Sequence, residues 1–334
     1  MPAPVRERQE WMPSQCLYSR CHDTTNCLYF VFLAVYHENM MTRKIFTTEM
    51  RYEALLLLTA AIWGTGFVAQ SMGMQKLGPF SYNAARFALG SLALVVLLVL
   101  KRTSLSALRS ALFPGLLAGV VLTFAAAFQQ AGLLYTSAGK AGFITGLYVV
   151  LVPVAAMFFN KKTPKLTWLG ACFALTGLYI LSVSGAMEIN RGDILVFIST
   201  FFWTAHILVL DRFAPKVDPL VLACLQFAVC AFLTGLGAVL TEKATIDAFK
   251  SSAWPIVYGG LFSIGIAYTL QAVAQSKAHP ARASIIMSLE APFAAIAGFF
   301  FLAEKMGLRE LTGCALMLAG MVVAQWKPSA RQAI

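Results

Sequence analysis

Stretches of about twenty predominantly apolar residues recur from residue 52 to residue 326, separated by short polar connections. A helix of this length crosses roughly 30 Å of hydrocarbon, and only helices or closed barrels satisfy the backbone in lipid. The runs are too long to be barrel strands. The sequence therefore predicts an all-α integral membrane protein with ten transmembrane helices, at about 52–72, 80–100, 111–134, 138–159, 166–185, 193–210, 219–240, 253–275, 280–302 and 308–326.

Composition supports this assignment. Hydrophobic residues make up 59% of the chain and charged residues 12%, whereas soluble domains average about 45–50% and about 25%. The net charge of +11 comes from the connections between the apolar stretches. No basic helix with interleaved aromatic residues is present, so nucleic-acid binding is not expected.

The distribution of basic residues predicts the orientation. If the N-terminus faces the cytoplasm, the inner connections hold fifteen Arg and Lys residues and the outer connections hold seven. Cytoplasmic connections of membrane proteins carry an excess of Arg and Lys. The sequence therefore predicts a multi-pass protein of the cytoplasmic (inner) membrane with both termini in the cytoplasm.

Residues 1–50 differ from the rest of the chain. Their longest apolar run, Leu28–Tyr36, is too short to span a bilayer, and the ten-helix unit begins cleanly after Met50. We expect this tail to be disordered, dispensable or a start-site artefact, with a regulatory tail as the alternative. Its three cysteines do not have the spacing of a zinc site, so no metal is expected there.

The chain repeats itself. A shift of 140 residues aligns Trp63 with Trp203 and Phe87 with Phe227, and a shift of 141 aligns Gln130 with Gln271. These matches predict two five-helix units, at 52–185 and 193–326, followed by a short cytoplasmic tail at 327–334. Because five is odd, the second unit must enter the membrane from the opposite side. Inverted repeats are common in transporters, whose substrate site lies at the repeat interface near the midplane.

Three segments carry a family resemblance: "AAIWGTGFVAQSMGMQKLGPFSYNAARFALGSL", "SAGKAGFITGLYVVLVPVAAMFF" and "SLEAPFAAIAGFFFLAEKMGLRELTGCALMLAG". They resemble the drug/metabolite transporter superfamily, specifically the ten-helix EamA-like branch with two EamA repeats. The resemblance covers about Tyr52 to Trp326. It implies export or exchange of small metabolites, amino acids or drugs. An acid often follows the fourth and ninth helices of the family; Glu304 fits that pattern, but the first unit has Asn160–Lys162 instead.

One acid falls inside an apolar stretch. Glu290 lies about ten residues into the ninth predicted helix, and Pro292 follows it. A charge at that depth costs about 2.5–3.5 kcal/mol on insertion scales, so the side chain must face a partner or a wet cavity. We interpret Glu290 as a ligand for a substrate amine or a proton-coupling site; a structural carboxyl is the alternative.

Arg86 is the one basic residue well inside a predicted span. It can pair with Glu290, bind an anionic group or extend to the outer interface, and structural anchoring is the favoured role. The repeat mates Gln130 and Gln271 lie late in helices three and eight, where amides line a pathway or bridge helices equally well.

Aromatic and hydroxyl side chains complete the candidate site. Trp63 and Trp203 are candidate cavity walls, with packing or interfacial anchoring as the alternative. His206 lies one turn after Trp203, where a helix contact is favoured over a proton relay. Tyr148 and Thr145 fall near the depth of Glu290 and can donate hydrogen bonds to a substrate.

Other functions fit the sequence less well. An integral membrane enzyme would need nucleophile, metal-ligand or phosphate-binding motifs, and none is present, so we expect neither an enzyme nor a cofactor. A phosphosugar or nucleotide-sugar exchanger would favour several intramembrane cations. A channel fits poorly with bulky aromatic residues. The sequence thus predicts a gradient-driven carrier of a small molecule in the lipid bilayer, either proton antiport or exchange, acting as a monomer or homodimer.

Overall fold

The computed structural model describes residues 48–136, 138–182, 190–302 and 307–326. The predicted N-terminal tail up to residue 47, the C-terminal tail at 327–334 and Glu304 lie outside the described residues. Each predicted span is mostly helical where it is described. The elements are α1 (Thr48–Gly73), α2 (Pro79–Leu100), α3 (Leu105–Gly132), α4 (Ala138–Gly146), α5 (Tyr148–Met157), α6 (Lys165–Ser182), α7 (Arg191–Phe213), a 3₁₀ turn (Ala214–Lys216), α8 (Pro219–Thr241), α9 (Ile246–Ser251), α10 (Ala253–Val257), a π-helical segment (Tyr258–Tyr268), α11 (Thr269–Gln275), α12 (Pro280–Met287), α13 (Glu290–Leu302) and α14 (Leu308–Gln325).

Seven helical stretches within the described residues are long and apolar enough to cross a membrane. The fourth and ninth predicted spans are instead divided into two helices each, at Leu147 and at Ser288–Leu289. In the ninth span the cause is local. Pro292 lacks the N–H that would bond the carbonyl of Ser288 four residues earlier, and Ala291 bonds that carbonyl instead in a tighter turn. Each of these two predicted spans is therefore helical on both sides of a tighter turn and is not one uninterrupted α-helix.

Equivalent helices of the two units run antiparallel to each other. Along α2 and α8, Phe80 lies beside Glu242, Phe87 beside Phe227, and Lys101 beside Asp218. The α6–α14 pair has the same arrangement, because Gly170 approaches the carbonyl of Gly320 and Gly177 approaches that of Gly313. Antiparallel crossing of equivalent helices is the geometry that the odd helix count predicts.

The outer surface of the bundle is apolar. Large hydrophobic side chains lie exposed along several helices, among them Val99, Phe232, Val239 and Phe300. A soluble protein rarely exposes continuous apolar surface on this scale, whereas a membrane protein presents it to lipid. We call the face of the bundle at which α1 begins the near face, and the face at which α1 ends the far face.

The beginning of α2 is capped by a side chain from the end of α8. Glu242 accepts hydrogen bonds of 2.8 Å from the backbone N–H groups of Phe80 and Ser81. The equivalent helix α8 is capped by its own Asp218, which accepts from the Leu220 N–H at 2.9 Å. Gly78 stands at the repeat position of Asp218 and has no side chain to do this, so Glu242 supplies the acceptor from a distance.

We expect Glu242→Ala to lower the free energy of unfolding by about 1–2 kcal/mol, because two N-terminal N–H groups lose their acceptor. Thermal unfolding in detergent measures the change. Adding Gly78→Asp to that variant should restore stability by imitating Asp218. Gly78→Asp alone should destabilise the protein, since its Cβ would lie 2.2 Å from Glu242 Cδ. A double variant no more stable than Glu242→Ala would contradict the capping role.

Candidate functional site

A cavity of about 40 Å³ lies where the two units meet. Each unit contributes seven lining residues. The first unit supplies Trp63, Phe67, Gln70, Arg86, Gln129, Thr145 and Tyr148, and the second supplies Trp203, Ile207, Ser263, Tyr268, Gln271, Met287 and Glu290.

Glu290 is the first residue of α13, directly after the break in the ninth span. Its side chain is buried, and its Oε1 accepts a hydrogen bond of 3.1 Å from the Tyr148 hydroxyl. The two residues come from different units, so this bond crosses the repeat interface. Because α12 ends at Met287 and α13 begins at Glu290, the Glu290 carboxyl lies at the cavity wall.

Arg86 is buried in the opposite unit. Its Nε donates to Asn83 Oδ1 at 3.0 Å, and Asn83 in turn donates to the carbonyl of Ala126. The guanidinium carbon lies 5.4 Å from the centre of the Tyr82 ring and 5.1 Å from that of Phe87. Within the described residues its Nη nitrogens have no hydrogen-bond acceptor and no ion pair joins Arg86 to Glu290. Arg86 is thus oriented through Nε, with its other donors facing the cavity.

Three aromatic side chains form one wall. The Tyr268 ring centre lies 4.5 Å from that of Trp63 and 6.1 Å from that of Trp203. Trp63 Nε1 donates to the Ser263 carbonyl at 3.2 Å. Tyr268 ends the π-helical segment, a kind of helix that is rare and often found at functional sites.

Three polar atoms at the cavity have no partner among the described residues. They are the Gln70 Oε1, the Gln271 Oε1 and the Trp203 Nε1 atoms. Buried polar groups in proteins are nearly always hydrogen-bonded, so such groups need a water or ligand partner. Residues that line the cavity thus carry two acceptors and one donor without a partner among the described residues.

Six of the eight site residues predicted from the sequence line the cavity. The other two, Gln130 and His206, do not. Gln130 is completely buried among helices, and His206 Nε2 forms a 2.8 Å hydrogen bond with Gln226, the repeat mate of Arg86. Neither side chain reaches the space that a substrate would occupy.

The structure also adds residues that the sequence reading did not select. Gln129 lies at the cavity and donates to Thr145 Oγ1 at 3.0 Å. Gln70 and Tyr268 were missed as well. None of them carries a charge, and Gln129 has no identical repeat mate, so only knowledge of which helix face points inward would have identified them.

No group of three or more His, Cys, Asp or Glu side chains is placed to hold a metal ion in the ranges that the structure describes. The cavity is instead built from one carboxyl, one guanidinium, amides, hydroxyls and aromatic rings. A helical bundle made twice from one unit, with a polar cavity at the junction, has the architecture of a membrane transporter.

The comparison with known families agrees with this class. The EamA-like transporter family matches the chain twice, over residues 50–183 and again over residues 190–325. The chain belongs to this family, and it is a multi-pass membrane protein of the drug/metabolite transporter type.

Related proteins carry transporter names. An uncharacterized transporter of Archaeoglobus fulgidus is 30% identical over 270 residues, which cover 80% of this chain and 83% of that protein. The inner membrane transporter YedA of Escherichia coli K12 is 24% identical over 64% of this chain and 74% of its own. A solved crystal structure aligns with a TM-score of 0.72 and 19% identity, covering 82% of this chain and 97% of that chain, and supports the fold alone.

Proposed function

We propose that the protein is a gradient-driven exporter of small zwitterionic metabolites, with amino acids and drug-like amines as the nearest classes. In this proposal the near face is cytoplasmic, both termini lie in the cytoplasm, and the membrane is the cytoplasmic (inner) membrane. The observation that carries it is a cavity at the repeat interface with a carboxyl from one unit and a guanidinium from the other.

The lining matches a zwitterion group by group. Arg86 presents N–H donors to a substrate carboxylate, and Glu290 presents an acceptor to a substrate ammonium. The rings of Trp63, Trp203 and Tyr268 provide an apolar surface for the rest of the molecule. A substrate with only one charged group would leave the other buried protein charge without a partner, which costs binding free energy.

Glu290 is the one carboxyl among the residues that line the cavity. A proton and a substrate ammonium would therefore compete for the same oxygen atoms. Competition for one site gives antiport when the carrier reorients only with a ligand bound, because each ligand must leave before the other binds. We propose that proton entry releases the substrate on the far side.

A phosphosugar or nucleotide-sugar exchanger is supported less well. Such substrates carry two or more negative charges, and Arg86 is the single cation in the cavity lining. Glu290 would repel them. The membrane-enzyme alternative draws no support from the cavity or from the family, whose named relatives are transporters.

Counterflow in proteoliposomes tests the substrate class. Vesicles are loaded with a mixture of unlabelled amino acids, and uptake of each labelled amino acid is followed. Competitors that lack either the carboxylate or the ammonium should inhibit far less than the zwitterion. Equal inhibition by an analogue without the carboxylate would contradict the proposal.

We expect Arg86→Gln to weaken binding of the carboxylate-bearing substrate about tenfold or more, because a charged hydrogen bond contributes about 1.5–3 kcal/mol. The loss should be smaller for the analogue that lacks a carboxylate. Arg109→Gln, at an exposed position, is the matched control and should leave uptake unchanged. Equal losses for both ligands would assign Arg86 to structure.

A further inference from the structure

Charged side chains from both units meet at the near face, away from the cavity. Arg282, in the first turn of α12, lies 4.0 Å from Glu53 and from Glu49 of α1. Lys161 Nζ, after α5, donates to Asp211 Oδ1 of α7 at 2.7 Å. Glu53, Lys277, His279 and Arg282 also line a second pocket of about 110 Å³ at this face.

Each of these ion pairs joins one unit to the other. Glu53 and Lys161 belong to the first unit, whereas Arg282 and Asp211 belong to the second. Because alternating access moves one unit against the other around a fixed site, pairs that cross the interface change their length during the movement. Pairs within one unit would not.

His279 lies between the two pairs without adding a charge. Burial lowers the pKa of His279 below its usual value; Lys161 and Arg282 lower it further, and Asp211 opposes them. The neutral ring accepts a hydrogen bond from the Ala281 N–H through Nδ1 and caps α12. The cluster therefore contains acid–base pairs packed around an uncharged imidazole.

The far face has a counterpart built from an equivalent residue. Asp193 is related to Glu53 by the same shift of 140 residues that relates Trp203 to Trp63. Asp193 Oδ1 accepts a 2.7 Å hydrogen bond from Thr136, which follows α3 in the other unit. At each face, the first helix of one unit thus places a carboxylate against the other unit: Asp193 against the connection after α3, and Glu53 against the first turn of α12.

The cavity lies in the middle of the bundle. Its first-unit residues Gln70, Arg86 and Gln129 lie within about two turns of the far-face ends of their helices, and its second-unit residues Ile207 and Gln271 lie within about two turns of the near-face ends of theirs. The ion pairs lie closer still to the near face, since Asp211 follows Ile207 by one turn along the same helix. The pairs therefore stand between the cavity and the near side.

We propose that Glu53–Arg282 and Lys161–Asp211 form a near-face latch that holds the near side closed and must separate before the cavity opens to that side. This inference rests on the proposed function in assuming alternating access. The side chains of Glu53 and Arg282 are 17% and 18% exposed, and that of Asp211 is 9% exposed. Such partly buried pairs are screened less by water than surface pairs, so they can bias the equilibrium between conformations.

Cysteine accessibility tests the latch without any substrate. Ile207→Cys, at the cavity, is placed in a variant whose seven native cysteines are replaced, and a membrane-impermeant maleimide is added at the near side. We expect Glu53→Gln and Lys161→Gln each to raise the labelling rate about three- to tenfold. Asp247→Asn, an exposed acid in α9, is the control and should not change it.

Exchanging the charges of Glu53 and Arg282 distinguishes an effect on the latch from a loss of folding. Glu53→Arg combined with Arg282→Glu should return near-side labelling to the original slow rate, whereas Glu53→Arg alone should accelerate it. Unchanged labelling in both Gln variants, or no return in the exchanged pair, would overturn the proposal. Since labelling needs no transport, the latch can succeed while the zwitterion proposal fails, and the reverse.

Discussion

Glu290→Gln is expected to abolish pH-dependent transport while leaving the protein folded. The amide keeps the shape of the carboxyl and its oxygen can still accept the hydrogen bond from Tyr148. It cannot take up a proton or neutralise a substrate ammonium, so substrate binding should weaken about tenfold to a hundredfold and proton exchange should stop. Proton flux driven by a substrate gradient, followed with a pH-sensitive dye inside proteoliposomes, measures the effect.

Tyr148→Phe is the matched control for that experiment. It removes the same hydrogen bond but retains the carboxyl, so the coupling of substrate to protons should persist with altered affinity. Counterflow at a single pH distinguishes binding from coupling. If Glu290→Gln still moved protons in exchange for substrate, Glu290 would be a structural residue and the antiport part of the proposal would fail.

The second large effect is expected at Gly64, where α1 touches the helix that carries Glu290. A Cβ at this position would lie 2.5 Å from Phe293 Cβ and 2.8 Å from both the Ala294 N atom and the Glu290 O atom. Two of these are backbone atoms, which cannot move unless α13 moves. We expect Gly64→Ala to cost about 1–3 kcal/mol of stability and to displace the Glu290 carboxyl, with a matching loss of transport.

Gly66→Ala provides the control within the same helix. A Cβ there meets Ser263 Oγ at 3.7 Å, an ordinary contact. Its helix propensity gain is the same as at Gly64, so the difference between the two variants isolates the steric effect. Gly64→Ala should be less stable in detergent and less active in counterflow than Gly66→Ala. Equal behaviour of the two variants would mean that α13 adapts to the added carbon.

The fourth and ninth spans are divided in a way that the sequence pattern does not predict. Pro153 lies in the fourth span and Pro292 in the ninth, and each lacks a backbone N–H donor. The structure divides both spans a few residues before the proline, and in the ninth span the division includes Ser288, whose carbonyl loses its donor to Pro292. The sequence does not reveal that Glu290 would then begin a new helix at the cavity wall.

The sequence pattern also does not predict which of two adjacent residues, Gln129 or Gln130, lies at the cavity. The repeat selected Gln130 through its match with Gln271, whereas Gln129 is the residue at the cavity. Neighbouring residues on a helix differ by about 100° in direction. The helix α3 is apolar on nearly every side, since lipid and protein neighbours both accept apolar groups, so its pattern does not indicate which side faces inward.

The membrane class, the order of the apolar spans, the duplication and the family follow from the sequence alone, because each depends on local hydrophobicity or on residue matches along the chain. Which side chains share a space is fixed only when the helices pack together. The Tyr148–Glu290 hydrogen bond, the free donors of Arg86 and the ion pairs of the near-face latch join residues far apart in sequence. Their partners depend on the rotation and tilt of whole helices, which an almost uniformly apolar surface leaves unspecified until the helices pack together.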